Sequence, residues 1–335
     1  MIYGDELGAG GISTKTIPPQ GLNLTLKGGN GKIDCTFTGI TSEWLYLGQY
    51  YRLIAKPGSA PTSPMDGVQI KDVQVGAIGD AVISASIEGL TNGVQYYVRL
   101  YVRGENGWQT SVDAVGTATP VAGIALSTIA ASDAATEQIL MLPEQGIPVK
   151  FILLKHDYEN SGRSLVLRKD LYDERAWNSS NNNAYASSAI DTWLNNTYLM
   201  CLDESVRNQI IEVAFPYTIG YGNSTVSTLS RKVLLLSATE IGYSGSYVNV
   251  EGTVLLYFNS DSKRIAYLNG TATYWWTRSP YNGERGRVKA VAQNGVLHEP
   301  NASYPDGSRP AFTLPADMLF NPEPNADGSY SPLTA

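Results

Sequence analysis

Hydrophobic and polar positions alternate in two different ways along this chain. From Gly21 to about Pro120 the apolar residues come in short runs of strand length: LNLTL, KIDCTF, YYRLIA, VQI, AVISASI and VQYYVRLYV. GGNG, PGSAPTSP, IGD and TNG separate them. Short period-2 runs divided by turn residues predict a β-sandwich. In the last run Tyr96, Val98, Leu100 and Val102 fall on one face of a strand. From Pro148 the pattern is mixed α+β. VKFILLKH and SLVLRK read as a strand pair, and KVLLLS, TVLLYF, RIAYL and TYWWTRS as further strands. Ser188 and Asp191 stand at capping-box spacing before a helix with Ile190, Trp193, Leu194 and Thr197 on one face. Asp203 opens a second helix that aligns Val206, Ile210 and Val213, and Ser237 and Glu240 start a short helix or turn.

These patterns divide the chain into a flexible arm over 1–18, an all-β sandwich over 19–120, and a linker or leading segment over 121–147. An α+β domain over 148–320 and a tail over 321–335 follow. The chain is organised around Tyr274–Phe312. There YWWTRSP and GSRPAF bracket a run in which almost any side-chain type appears. Firm walls around a miscellaneous middle are expected of a recognition surface carried on a rigid scaffold.

Composition narrows the function. With 335 residues and 43% hydrophobic content the chain can bury more than one core. A formal net charge of −7 excludes a nucleic-acid partner, which needs a basic face, and disfavours an anionic membrane surface. No run approaches the roughly 18–20 apolar residues that span a bilayer, and the N-terminus lacks a secretory pattern. Cys35 and Cys201 are the only cysteines, read as buried free thiols. With His156 and His298 alone beside them they build no zinc site.

Two resemblances sharpen this. LTNGVQYYVRLYVRGENG resembles the signature of fibronectin type III domains, matched at Leu90, Tyr96, Val98, Leu100, Val102, Gly104 and Asn106. It implies that the Tyr96 hydroxyl ties back to upstream backbone and that Phe37 replaces the family's early core tryptophan. The C-terminal half resembles a bacterial and phage domain family of unknown function on the C-type lectin fold. That fold is shared with formylglycine-generating enzymes and with the variable proteins of diversity-generating retroelements. AIDTWLNNTYL, KVLLLSATEIG, YWWTRSP, then Val288, Val291 and Gly295, and finally GSRPAF carry the match.

The resemblance implies a ligand-binding protein of a phage tail, reaching a protein or glycan on a bacterial cell surface. It would dock on other virion proteins through its N-terminal region, with homo-oligomerisation left open. A virion protein needs no signal peptide. Val288, Val291, Gly295 and Leu297 would be framework. Displayed for ligand would be Tyr281, Glu284, Arg285, Arg287, Lys289, His298, Glu299, Asn301, Tyr304 and Asp306, with Trp275 or Trp276 flooring the site; Trp276 is taken as the ligand-side residue. Arg278 and Arg309 would be scaffold residues that bind several carbonyls each.

No catalytic residues, cofactor or metal are expected. Formylglycine-generating chemistry needs a reactive cysteine pair or a metal, and only Cys201 is at hand. The acidic pairs Asp173/Glu174 and Asp203/Glu204 read as ordinary turns and helix starts, and His156 as a solvated histidine. Glu299-Pro300-Asn301 is the tripeptide of calcium-dependent lectins, but it recurs at Glu323-Pro324-Asn325 and no later Trp-Asn-Asp stretch completes it. The competing readings are a structural tail or baseplate decoration protein and, less favoured, a divergent enzyme on the same fold.

Overall fold

The structure, a computed structural model, describes residues 21–38, 49–75, 82–104 and 107–333. The chain divides into two compact units, Met1–Ala122 and Gly123–Ala335, each built mainly from strands. The arm expected over 1–18 lies outside the described residues. Among the described residues no helix is long and apolar enough to cross a membrane.

In the first unit, β1 (Thr25–Gly29), β2 (Lys32–Thr38) and β5 (Val82–Ile87) form one antiparallel sheet in the order β1-β2-β5. A second has the order β4 (Gln69–Val75), β3 (Gln49–Pro57), β6 (Tyr96–Gly104), β7 (Gly107–Gln109), and β8 (Val115–Ala118) also pairs with β6. Alternation decides which side chains go inward. Ile33, Cys35 and Phe37 of β2 share one core with Tyr51, Leu53 and Ala55 of β3 and with Tyr96, Val98, Leu100 and Val102 of β6. Phe37 meets Tyr51 across the sheets with ring centroids 5.0 Å apart. The Tyr96 hydroxyl accepts the Thr91 N–H at 3.1 Å, tying the strand to backbone just upstream. Burial pushes the Cys35 thiol up to about 12, so it is an inert core residue.

The second unit holds two larger sheets. One runs β10 (Ile139–Glu144), β11 (Ile147–Lys155), β12 (Arg163–Arg168), β23 (Ala311–Pro315), β16 (Val233–Leu234). The other runs β13 (Glu174–Ala176), β22 (Pro305–Gly307), β19 (Trp275–Pro280), β20 (Val288–Val291), β21 (Leu297–His298). Three two-stranded pairs complete it: β14 (Val213–Gly220) with β15 (Asn223–Arg231), β17 (Ala266–Leu268) with β18 (Thr271–Thr273), and β9 (Ile124–Ala125) with β24 (Leu319–Phe320). The stretch 121–147, read as a linker or leading segment, supplies β9 and β10. The tail also folds back, with the Met141 N–H donating to Tyr330 O and the Leu333 N–H to Leu319 O.

Helix is scarce. Ser188 caps the segment 189–201 by accepting the Asp191 N–H at 3.1 Å. Its middle, Leu194–Tyr198, is a π-turn. The wider turn carries Tyr198, not Thr197, onto the buried face below Ile190 and Leu194. The helix expected from Asp203 is one turn, Glu204–Arg207, and Val213 already belongs to β14. TVLLYF is not a strand. Leu255, Tyr257 and Phe258 are anchored inward from turns, with the Leu255 N–H on Glu240 O, while Val254 and Leu256 face solvent.

Candidate functional site

A buried polar network holds the second unit's frame. Arg278 of β19 is fully buried, and its Nη1 donates to Glu240 Oε2 at 2.7 Å and to Leu235 O at 2.8 Å. Its Nε donates to Pro216 O at 3.2 Å, and the guanidinium lies 4.7 Å from the Phe215 ring centroid. Glu240 also accepts the Tyr158 hydroxyl at 2.6 Å and the Ser237 N–H at 2.7 Å, while Ser237 Oγ accepts the Glu240 N–H at 3.0 Å. The Ser237/Glu240 spacing is therefore a reciprocal capping box that closes a buried turn. Glu251 accepts from Ser279 Oγ and from the Thr218 N–H, and burial raises its carboxyl above the usual range. Arg309 donates to the carbonyls of Arg168 and Lys169 and stacks 4.9 Å from the Trp275 centroid. Arg278 thus binds three carbonyls and Arg309 two, and both are buried from solvent.

Above this frame sits the segment 281–306. Asn183, buried in the run SSNNNA, fastens its first loop. The Asn183 amide donates to the carbonyls of Tyr281, Glu284 and Arg287 at 3.3, 3.0 and 2.8 Å, and its Oδ1 accepts the Tyr221 N–H at 2.6 Å. One buried side chain thereby ties two loops together. The Asn282 N–H donates to Tyr247 O at 3.0 Å and brings in a third.

The side chains these loops present are aromatic. Tyr221 and Tyr247 are 53% and 56% exposed. Both adopt left-handed backbone, φ 51° and 66°, which is rare for bulky residues and costs of order 1–3 kcal/mol each. Tyr247 packs on Tyr281 with centroids 5.0 Å apart, and Arg285 lies 5.1 Å from the Tyr221 centroid. A Cβ at Gly222 would approach Arg285 Nε to 2.8 Å, so the stack also requires that glycine. Lys289 stands beneath, its side chain 1% exposed. Its ammonium lies 4.8 Å from the Tyr281 centroid and 5.5 Å from Tyr243, and pairs with Glu299 Oε1 at 2.5 Å. A buried ammonium needs such partners, here one carboxylate and two π faces.

The expected site residues therefore separate. Tyr281, Glu284, Arg285 and Arg287 surround the aromatic patch, with Glu284 and Arg287 paired at 3.0 Å. Tyr304 is exposed, and Asn301 is half-buried and bridged to Arg287. Lys289 is a pillar and not a displayed residue. Trp276 is fully buried, its indole N–H donating to Arg175 O at 2.8 Å. Trp275 is buried too, because β19 is covered on both faces. Glu299 is taken up by Lys289, so the Glu-Pro-Asn tripeptide does not gather ligands for calcium. Among the described residues no three His, Cys, Asp or Glu side chains converge.

His298 and Asp306 form a separate pair. His298 stacks on Tyr274 with centroids 4.7 Å apart, and its Nε2 lies 3.9 Å from Asp306 Oδ2, too far for a hydrogen bond. Both atoms are buried and unpartnered. Burial, reinforced by the charge of Glu174, pushes the Asp306 carboxyl up to about 6. Burial also lowers the His298 imidazole, against the pull of Glu299. A carboxyl raised in the folded state destabilises the fold where it is ionised. The cost is absent below about 3.8, grows as pH rises to about 6, and is full above it. Asp306→Asn is expected to raise stability at pH 8 by about 1–2 kcal/mol, allowing for solvent screening, and by less at pH 5. Urea melts at the two pH values check this, and an equal gain at both would contradict it.

The other chemistry-bearing residues are structural. His156 is clamped and not solvated: Nε2 donates to Ile129 O at 2.8 Å, so Nδ1 accepts the Ser164 hydroxyl at 2.8 Å. Asp173 holds Arg175 and the Ser308 hydroxyl, and Asp203 accepts the Gly146 N–H. Cys201 is free and half-buried, 3.3 Å from the Tyr172 hydroxyl.

Sequence reasoning missed Tyr221, Tyr243, Tyr247 and Asn183. They lie outside 274–312, and only the tertiary fold brings them to the segment.

A domain of unknown function, DUF6273, spans residues 161–316. That stretch contains Asn183, the whole aromatic patch and the Arg278 network apart from Tyr158. β10 and β11 lie wholly before it, although they belong to the same sheet as β12. No curated protein matches the chain.

Proposed function

We propose that the DUF6273 domain of this chain is a non-enzymatic recognition module whose ligand meets the patch of Tyr221, Tyr247, Tyr281 and Arg285. The observation that supports it most strongly is the pairing of display with restraint. Two exposed tyrosines held in left-handed backbone flank a loop whose carbonyls are gathered by one buried asparagine. An ordinary solvated loop has no physical need for such ties. Tyrosine and arginine on pre-ordered backbone give contact energy at small entropic cost.

The resemblances in the sequence extend this reading. The second unit would be a C-type-lectin-fold tip and the first a fibronectin type III-like spacer, in a phage-tail receptor-binding protein. Its partner would be a protein or glycan on a bacterial surface. The resemblance to retroelement-diversified proteins adds that the displayed positions vary between copies. Sequencing the gene from sibling isolates tests that part. Substitutions should cluster at the half-buried Tyr281 and at exposed positions such as Glu284, Arg285 and Tyr304, and spare Arg278, Lys289 and Gly295. Substitutions scattered evenly over the chain would remove diversification and leave recognition to be tested by binding.

A further inference from the structure

The outer face of the five-stranded sheet in the first unit carries chemistry that the recognition patch does not use. Tyr51, Leu53, Leu100 and Val102 turn inward, so Tyr50, Arg52 and Arg103 turn outward. Pairing lines them up across the sheet. Gln74 is opposite Tyr50, Trp108 is opposite Arg103, and Tyr50 and Arg103 extend the Tyr51–Val102 pairing by one residue. Asp72 is opposite Arg52 in the adjacent row. Lower on the same face, Ile54 and Tyr101 are buried, and a Cβ on Gly67 would come within 2.3 Å of Ile54. The upper half is an open groove of about 620 Å³, within the roughly 300–1,000 Å³ of small-molecule sites.

The two arginines differ in what holds them. Arg52 is committed: Nε and Nη2 grip Asp72 at 2.6 and 2.7 Å, Nη1 donates to Pro64 O, and the guanidinium stacks 4.5 Å from the Trp108 centroid. Arg103 is exposed and lies 5.8 Å from the Tyr50 centroid; it is near enough to Asp72 for its charge to act on that carboxylate, but it makes no hydrogen bond or ion pair among the described residues. Arg52, Arg103 and Asp72 leave the groove with a local surplus of one positive charge on a chain of formal charge −7. Tyr50 and Trp108 both line the groove, on the strands either side of Arg103, and the Trp108 ring leans onto the Arg52 guanidinium.

We infer that this groove binds an acidic saccharide: the pyranose ring rests on the lining made by Tyr50 and Trp108, its carboxylate accepts from the guanidinium of Arg103, and its hydroxyls reach Gln74 and Asp72. Free guanidinium donors in a fork match a carboxylate, and flanking aromatic faces match the C–H face of a sugar. The site is distinct from the Tyr221–Tyr281 patch and stands or falls separately from it.

Titration of the full chain with a trimer of galacturonic acid, followed by calorimetry, tests the inference. Saturable binding that weakens as salt is raised is expected, with at least tenfold loss in Arg103→Gln and in Trp108→Ala. The neutral galactose trimer should bind at least tenfold more weakly than the acidic one. Arg103→Gln alters an exposed side chain, and an unchanged melting curve confirms that its loss is one of binding. No binding of the acidic trimer, equal binding of the neutral one, or equal binding of a glutamate tripeptide would each overturn the assignment.

Discussion

Arg278→Met is expected to cost about 3–5 kcal/mol, because it leaves the buried Glu240 carboxylate without its cation. The carbonyls of Leu235 and Pro216 would lose their donor at the same time. The Tyr158 hydroxyl and the Ser237 N–H would still reach Glu240, but neither carries charge. Against a typical total of about 5–15 kcal/mol the loss is a large fraction of the fold's stability. Adding Glu240→Gln removes the orphaned charge, so the double variant should recover part of what the single one loses. Urea unfolding followed by tryptophan fluorescence checks both. A single-variant loss below about 1 kcal/mol would show that the network does not hold the frame.

Gly295→Ala is the second large effect. Gly295 has φ 86°, and a Cβ there would lie 1.8 Å from the Asp261 carbonyl oxygen and 2.5 Å from its carbon. Backbone cannot swing aside as a flexible side chain can. The turn itself is closed by the Ala292 N–H on Val296 O and the Gly295 N–H on Ala292 O. Gly270 is a matched control, with φ 82° and nothing within 4 Å of its Cβ position. Gly270→Ala should cost only the left-handed penalty of about 1–2 kcal/mol. Gly295→Ala should cost several kcal/mol more in the same unfolding assay. Equal losses would mean that the segment 292–296 is not packed against Asp261.

Legibility in the sequence followed local causes. Alternation in KIDCTFT and YYVRLYV marked the inward residues of β2 and β6, because the inner face of each strand packs on one core; on the outer face of β6 Tyr101 is buried as well. Ser188/Asp191 and Ser237/Glu240 marked chain turns because a capping side chain acts within three residues. Where both faces are covered the same logic failed. In β20 all of Val288, Lys289, Ala290 and Val291 are buried, so a lysine that read as displayed is a pillar held by Glu299 and two tyrosines. TVLLYF read as a strand because it is a short apolar run, which does not show that Leu255, Tyr257 and Phe258 are anchored from turns while Val254 and Leu256 stay exposed. Asn183 looked like one more residue of a polar run. Its importance comes from three carbonyls about a hundred residues away, which no local pattern encodes. Tyr221 and Tyr247 were invisible for the same reason.

The central claim is that the tyrosine–arginine patch binds and the frame beneath it only holds it in place. The direct measurement is retention of fluorescently labelled protein on a panel of bacterial strains, comparing the wild type with Tyr221→Ala/Tyr247→Ala/Arg285→Ala. All three side chains are exposed, so the melting temperature of the triple variant should stay close to that of the wild type. The wild type is expected to be retained on at least one strain and the triple variant to be lost from it. Undiminished retention of a folded triple variant would contradict the claim, and so would a wild type that binds none of the strains.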